Sequence, residues 1–429
     1  ARILENSSFL ALCRKLRDPA GFVFGGRKLR PLTRPETDLL ISRGCHARDW
    51  TGIRVVEDFV PEGIFGCLFL GTCVFGRFTG EDLAIGGTAL PPGLHHSTLR
   101  DAVIGDGALV HRCELVSRYV VDAEAAVCGS RLSGDGLPGD GGRAFGNGTW
   151  INAGIETGGR TVPLYADLDA DIAERSARSA ASSADRREIG EFLAAYTAET
   201  AIPTGYVGRK SRIVGAALVK NAFIGPNALV EGAARIDGCT IMGSEEAPVF
   251  VGAGCVLDGS ILRPGCHADS QAIVAGSFLA EAVRAERQAK ITESYIGPNS
   301  VIGEGEVTAS FVGPFVGFHH QSLLIAAFWP GGRGNIGQGA NVGSNHSSRM
   351  PDGEIWPAEG MFFGLGCNIK YPADFSSSPY SIIATGVTTL PQKVEYPFSL
   401  IVQPDETQPE APPAFNRLIP AWVLSDNFY

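Results

Sequence analysis

The feature that most constrains this chain is a period. In FIGPNALVEGAARIDGCTIM (223–242), Ile224, Val230, Ile236 and Met242 stand six residues apart. The residue after each is often Gly, Glu or Asp, and the fifth position of each hexad is small: Ala228, Ala234, Thr240. An amphipathic helix repeats near 3.6 residues and a half-buried strand repeats at two, so this period fits neither. It recurs at Val251 and Leu257, slips by one, and resumes at Leu262, Ala268 and Val274. Further copies fall at Ile296 and Ile302, Val312 and Phe318, Ile336 and Val342, Phe363 and Ile369, and earlier at Ile104 and Val110.

A coil with flat sides satisfies that grammar. Each side is a short strand whose aliphatic residue points into a narrow prism. Gly or Asn turns the corner, and the small residue packs beneath the next coil. The expected fold is mainly β: a left-handed parallel β-helix of hexapeptide repeats with an N-terminal helical segment and a helical insertion. Cys255, Cys266 and Cys367 all occupy the small fifth position, which makes them packing residues.

The departures from the repeat divide the chain. Residues 1–50 form a helical segment, in which LTRPETDLLISRGC has Thr33 as a helix N-cap and Gly44 as its stop. The first coils cover 51–130, beginning irregularly because IFGCLFLGTCVFGRF has a five-residue spacing. A glycine-rich loop and a helical insertion of one or two helices occupy 131–204. The main β-helix runs over 205–401, and the Pro-rich tail 402–429 packs outside as extended chain.

A repeat fold can carry all 429 residues without separate domains, and 44% hydrophobic content supplies a large core. The formal charge of −10 and the lack of any Lys/Arg-rich run disfavour a nucleic-acid partner. The ten cysteines include no CxxC pair, and a chain of this size needs no disulfide framework. With no apolar stretch long enough to span a membrane and no signal-like start, a reduced, cytoplasmic protein is expected. FGGRKLRPLTRPE (24–36) resembles the loop of sugar nucleotidyltransferases. The α/β domain needed to hold a nucleotide does not follow it, so chance similarity is the expectation.

Chemistry is to be sought where ionisable groups gather at loops and coil edges. In NIGQGANVGSNHSSRMPDGEIWP (335–357), His346 falls on the fifth position, where other hexads hold Ala, Ser, Thr or Cys. A buried imidazole there would be crowded, so the chain is expected to swing out. Arg349, Asp352, Glu354 and Trp356 follow, and a histidine near a carboxylate suits a general base. His319 and His320, with Arg333 beyond them, lie one to two coils earlier and could share that face. The other histidine pair, His95 and His96, reads as structural. In NGTWINAGIETGGR (147–160), Asn147, Glu156 and Arg160 sit among glycines, as in a backbone shaped around a ligand; Arg160 suits a phosphate or carboxylate. A flexible linker is the equal alternative.

From 335 to about 401 the chain resembles the xenobiotic acetyltransferase branch of the hexapeptide acyltransferases. The matching residues are Asn345-His346, Met350, Asp352-Gly353 and Trp356-Pro357, with SIIATGVTTLPQKVEYPFSLI (381–401) similar to that family's closing segment. Where the family has Gly-Asn-Pro-Ala, this chain has Leu400-Ile401-Val402-Gln403-Pro404. The resemblance implies His346 as the base that deprotonates an acceptor hydroxyl for attack on acetyl-CoA. It puts the CoA arm along the last coils, with Lys370 and Lys393 as candidate contacts. Acyl-CoA is then a co-substrate, and neither a permanently bound cofactor nor a metal is required. The implied acceptor is a small molecule, a sugar or sugar-derived metabolite, bound by His319, His320, Asn345, Arg349 and Trp356 with the 147–160 loop. Asp352 or Glu354 would orient the histidine. Prisms of this class commonly form homotrimers.

Over its whole length the chain resembles an uncharacterised family of large bacterial hexapeptide-repeat proteins, through DWTGIRV, ETGGRTVPLY, HHQSLLIA, GANVGSNH and GMFFGLGCNIKYP. Its members continue past the position of Tyr429 with a helical region. Two other readings stay open at this point. One is a non-catalytic scaffold presenting a nucleotide-sugar or protein site; the other is a metal enzyme with His319, His320 and His346 as ligands.

Overall fold

The computed structural model describes residues 2–136, 144–156, 159–178, 183–344, 354–405, 409–412 and 415–426. Two compact units divide the chain. The first comprises Ala1–Gly148, Tyr165–Asp167 and Phe192–Gly265; the second comprises Thr149–Leu164, Leu168–Glu191 and Cys266–Tyr429. Each is built mainly from short parallel strands stacked coil upon coil as a β-solenoid.

In the first unit the coil is easiest to see around the run that defined the period. Val219 lies opposite Ile236 and Ile236 opposite Leu257 on one face, while Ile213 faces Val230 on another. These side chains are fully buried. On the remaining face Ile224 pairs with Ile241, so Ile241 and not Met242 fills the interior. The corner before it is one residue shorter than a strict hexad, which moves Met242 partly into solvent. Corners demand a left-handed backbone, and Asn221, Asn227 and Asn299 adopt it at φ 47°, 56° and 58°. Asn tolerates that region better than other residues with a side chain, which explains its recurrence beside Gly.

The small column has a polar counterpart in the second unit. Ser277 and Ser294 each accept a hydrogen bond from a backbone N–H one coil on, that of Ser294 and of Ser310, and Ser310 does the same for Ala327. Serine therefore satisfies corner amides that alanine would leave to geometry alone. All ten cysteines are buried free thiols, including Cys255, Cys266 and Cys367.

One long sheet in each unit ends on an antiparallel strand. Leu29–Pro31 pairs antiparallel with Ile53–Val56 in the first unit, and Arg417–Ile419 pairs antiparallel with Leu400–Val402 in the second. An open edge would template further pairing, and these two strands each occupy one. The tail therefore contributes a capping strand and the short helix Trp422–Asp426, beyond the extended chain expected. The N-terminal helices include Arg34–Ser42, capped by Thr33 through a reciprocal bond with Glu36 and followed by Gly44 at φ 77°.

The first coils also carry a hairpin that the repeat does not foreshadow. Leu83–Ile85 pairs with Thr88–Leu90 around Gly86-Gly87, both at positive φ, and its apolar side packs on Leu109, Ala126 and Cys128. Strand Arg131–Ser133 still belongs to the coil, so the interruption begins later than residue 131. It contains the hairpin Thr149–Asn152/Thr161–Leu164 and helices Ala170–Arg178 and Ser183–Thr200. No helix among the described residues is long and apolar enough to cross a membrane.

Candidate functional site

The second unit keeps a tight coil length until one place. On the face that carries Val274, successive inward residues are Ile291, Val307, Leu324 and Val342, each 16 to 18 residues beyond the last. The next partner of Val342 is Ile369, 27 residues on. The excess lies between Ser344 and Glu354, the segment that sequence singled out. Asn345, His346, Arg349 and Asp352 lie outside the described residues.

The two ends of that excursion are firmly placed. Ser344 pairs with Lys370 across the coil. Gly343 before it has φ 99°, and a Cβ there would come within 2.3 Å of Ile325 O and 2.7 Å of the Tyr371 hydroxyl. Only glycine lets the chain leave the strand at this point. Tyr371 donates to that carbonyl at 3.0 Å, and burial, then the charge of Glu156, raise its phenol above the ordinary range. On return, Ile355 N donates to Ala326 O at 3.0 Å and Ala373 N to Glu354 O at 3.1 Å. Ile355–Trp356 then opens a small sheet with Ala373–Asp374 and Gln392–Lys393.

Arg160 locks the returning end. Its Nε donates to Glu354 Oε2 at 2.7 Å, with side chains only 17% and 16% exposed. Nη1 donates to the carbonyls of Ala177 and Arg178 at 2.9 and 3.0 Å, the C-terminal end of helix Ala170–Arg178. Helix C-termini present unsatisfied carbonyls and negative partial charge, so a guanidinium is well matched there. The same group lies 4.5 Å from the Trp356 ring centroid and 5.5 Å from that of Phe328. Gly154 makes room for it, since a Cβ would stand 3.1 Å from Arg160 Cδ. The glycine-rich loop and the 354–356 segment, separated by almost two hundred residues, thus form one cluster. Gly154 and Arg160 of that loop therefore pack against the 354–356 segment.

Glu156 lies on the same side. Burial raises its carboxyl above the usual range, and Glu293 and Glu306 push further in that direction. Those two acids are answered locally, Glu293 by Asn152 at 3.3 Å and Glu306 by Lys290 at 2.9 Å.

Other candidates lie elsewhere. Asn147 belongs to the first unit and is fully buried. It donates to Ala144 O and Thr240 Oγ1, and it accepts from Ala166 N at 2.7 Å, so its polar atoms are taken up by the fold. His319 and His320 are exposed and precede strand Leu323–Ile325, whereas the Glu354 cluster adjoins Ala326 at its far end. They therefore stand at opposite ends of one strand. His320 Nδ1 lies 2.9 Å from Glu304, whose carboxyl is lowered by that hydrogen bond and then by the charge. Arg333 pairs with Glu359 at 3.2 Å, away from both. Lys393 is held by Glu395 at 2.6 Å. Among the described residues, no group of three His, Cys, Asp or Glu side chains is placed to hold a metal ion.

Sequence reading missed two features beside the excursion. Phe328 and Tyr371 complete the cluster, yet nothing in an aromatic residue alone marks it out. Asn341 and Asn368 were more findable, because GANVG and GCNIK repeat Asn before an aliphatic residue. They lie directly opposite on adjacent coils, and their Oδ1 atoms are buried without a hydrogen-bond partner among the described residues. Native proteins rarely leave such atoms unpaired.

The comparison with known families is decided by coverage. Residues 29–416 match a family described as "Domain of unknown function (DUF4954)". The chain belongs to that family. A relative in Treponema pallidum (strain Nichols), named only "Uncharacterized protein", is 26% identical over 419 residues, covering 94% of this chain and 56% of its own length. The chain thus spans little more than half of that relative's length. Among solved structures, a crystal structure of a "putative acetyltransferase" from Desulfovibrio desulfuricans G20 aligns with 92% of this chain and 78% of its own. Identity there is 10% and the TM-score 0.20, so this likeness carries no argument about the DUF4954 site.

Proposed function

We propose that this DUF4954 chain is an acyl-CoA-dependent acyltransferase, transferring an acetyl group to a hydroxyl or amine of a sugar or sugar-derived metabolite. The observation that carries the reading is the clamp at Arg160. It joins the two segments that sequence independently marked, at the foot of the second-unit coil that lengthens from 16–18 to 27 residues, and His346 lies within that added length. In this scheme His346 takes the proton of the acceptor as its oxygen or nitrogen attacks the thioester carbonyl. The tetrahedral oxyanion is met by backbone amides of the glycine-rich turns. Collapse breaks the C–S bond, and the CoA thiolate leaves with the proton that the imidazolium returns. Glu354 is already committed to Arg160, so the role of orienting His346 falls to Asp352.

The co-substrate has suitable partners along the same face. The orphaned Oδ1 atoms of Asn341 and Asn368 match the amide N–H groups of a pantetheine arm, and Lys370 adjoins Ser344 for a phosphate. Arg349 and Trp356 are the acceptor contacts in this reading, and His319 and His320, at the other end of strand Leu323–Ile325, are left as an outer contact for a longer acceptor. We infer a homotrimer, checked by light scattering as three chain masses.

The test is transfer itself. With acetyl-CoA and a panel of amino and hydroxyl sugars, thiol release should be acceptor-dependent, and His346→Ala should reduce it by at least a hundredfold, in line with loss of a general base. Acetyl-CoA should also raise Tm. Absence of both thiol release and a Tm rise at millimolar acetyl-CoA would end the proposal.

A further inference from the structure

A second concave site lies in the first unit, where neither the repeat nor the transfer chemistry accounts for it. A cleft of about 510 Å³ opens beside the hairpin Leu83–Leu90, lined by Leu83, Ala84 and Pro92 and by Lys210 and Arg212. Its position follows from the coil. Arg212 lies opposite Ala126, and Ala126 is part of the surface that the hairpin covers, so Arg212 stands where that cover stops.

The charges in the cleft are unevenly matched. Asp106 is engaged by Arg27 at 2.5 Å and by the Arg77 amide at 2.8 Å. Glu124 is engaged by Arg209. Arg212 is half-buried, yet its hydrogen bonds run to two backbone carbonyls, Glu124 O at 2.7 Å and Ser211 O at 3.2 Å. No carboxylate among the described residues forms an ion pair with Arg212 or with Lys210. Burial disfavours the charge on Arg212, and the Glu124 carboxylate offsets that only in part. A guanidinium taken this far from water is stabilised by a directly bonded anion, whereas Glu124 acts on Arg212 only through its charge while it pairs with Arg209. Glu81 and Asp82 also line the cleft, and both are exposed, so solvent screens them.

We propose that this cleft binds a small metabolite through an oxyanion, phosphoryl or carboxylate, seated on Arg212 and Lys210 with its body against Leu83, Ala84 and Pro92. Arg212 supplies the planar fork suited to two oxygens, and Lys210 a mobile point charge. The site is independent of the acyl-transfer reading and stands or falls separately.

Calorimetric titration with inorganic phosphate, glucose 6-phosphate and succinate tests it, with Tm measured in parallel. One of the three should bind, raise Tm, and weaken as sodium chloride is added. Arg212→Gln should weaken that probe at least tenfold. Lys210→Asn, an exposed corner residue at φ 61° where Asn is well tolerated, should weaken it severalfold without lowering the ligand-free Tm. Preference for glucose 6-phosphate over phosphate assigns the phosphoryl source and the apolar wall, whereas succinate alone assigns a carboxylate. Should none of the probes bind, or should both variants bind as the parent does, the proposal is overturned. If Arg212→Gln fails to fold, Lys210→Asn alone decides.

Discussion

Two stretches of this chain are nearly the same sentence written twice. Gly93-Leu94-His95-His96 and Gly317-Phe318-His319-His320 both end a strand and turn a corner, with the second histidine at positive φ in each, 48° and 37°. Their fates are opposite. His95 is 4% exposed, stacked on Phe65 at 4.4 Å, with His111 5.7 Å away. His319 is exposed, and the corresponding residues of the adjoining coils are Gly303 and Gly337, which offer nothing to stack upon. Residue type and turn are shared, so cover decides what a polar side chain on the solenoid does. The ion pairs show the same contrast. Arg160–Glu354 at 2.7 Å lies against a helix end and two rings, while His320–Glu304 at 2.9 Å stands in water.

If cover is the deciding variable, the largest effect belongs to Arg160. Arg160→Ala leaves Glu354 shielded and unpaired, strips two helix-end carbonyls of their donor and removes the cation over Trp356. Breaking a shielded pair from one side costs about 3 kcal/mol. Urea unfolding should show that loss, and the double variant Arg160→Met/Glu354→Gln should recover part of it. A single variant as stable as the parent would break the comparison at its strongest point.

The next effect belongs to His95. Removing a stacked, buried ring costs about 3 kcal/mol or somewhat less, so His95→Ala should lower the unfolding midpoint where His319→Ala leaves it in place. The pH dependence sharpens this. Burial, and then the neighbouring His111, hold His95 at about 4, against an ordinary 6.5. The unfolded chain takes up that proton first, so the contribution is complete above pH 6.5 and is lost as pH falls from 6.5 towards 4. Midpoints measured across that range should fall for the parent, and fall less for His95→Phe. An equal slope in both would assign the titration elsewhere.

The same variable explains what could be read from sequence. Period and small positions were legible because one inward residue per face must recur in every coil, and Ile236, Leu257 and Val342 do so. Thr33 and Gly44 were legible because capping is local. Met242 was misplaced because a corner can shed a residue without changing the pattern around it. Arg160 and Glu354 were each visible as polar residues in loops, but their meeting depends on where an insertion lands, which no local pattern encodes. Asn147 sits in the same glycine-rich stretch as Arg160 and reads alike, yet it braces the first unit from inside. The hairpin over Leu109 and Ala126 was missed for the same reason, and with it the cleft at Arg212.

The smallest effect is the most discriminating, because it asks for nothing to happen. Glu304 has its carboxyl lowered by His320, an arrangement that in a covered site would tie stability to pH. Here the histidine side chain is 54% exposed and the pair exchanges freely with water. Exposed pairs surrender most of their Coulomb energy to solvent and to side-chain entropy. His320→Gln should therefore leave the unfolding midpoint within the error of a denaturant titration, at low salt and at high salt alike. A clear loss of stability would mean that this corner is covered in solution by something the chain itself does not provide. An unchanged midpoint with a weakened acceptor KM would instead make His320 a binding residue free of structural duty, which is how a functional histidine on an open corner should behave.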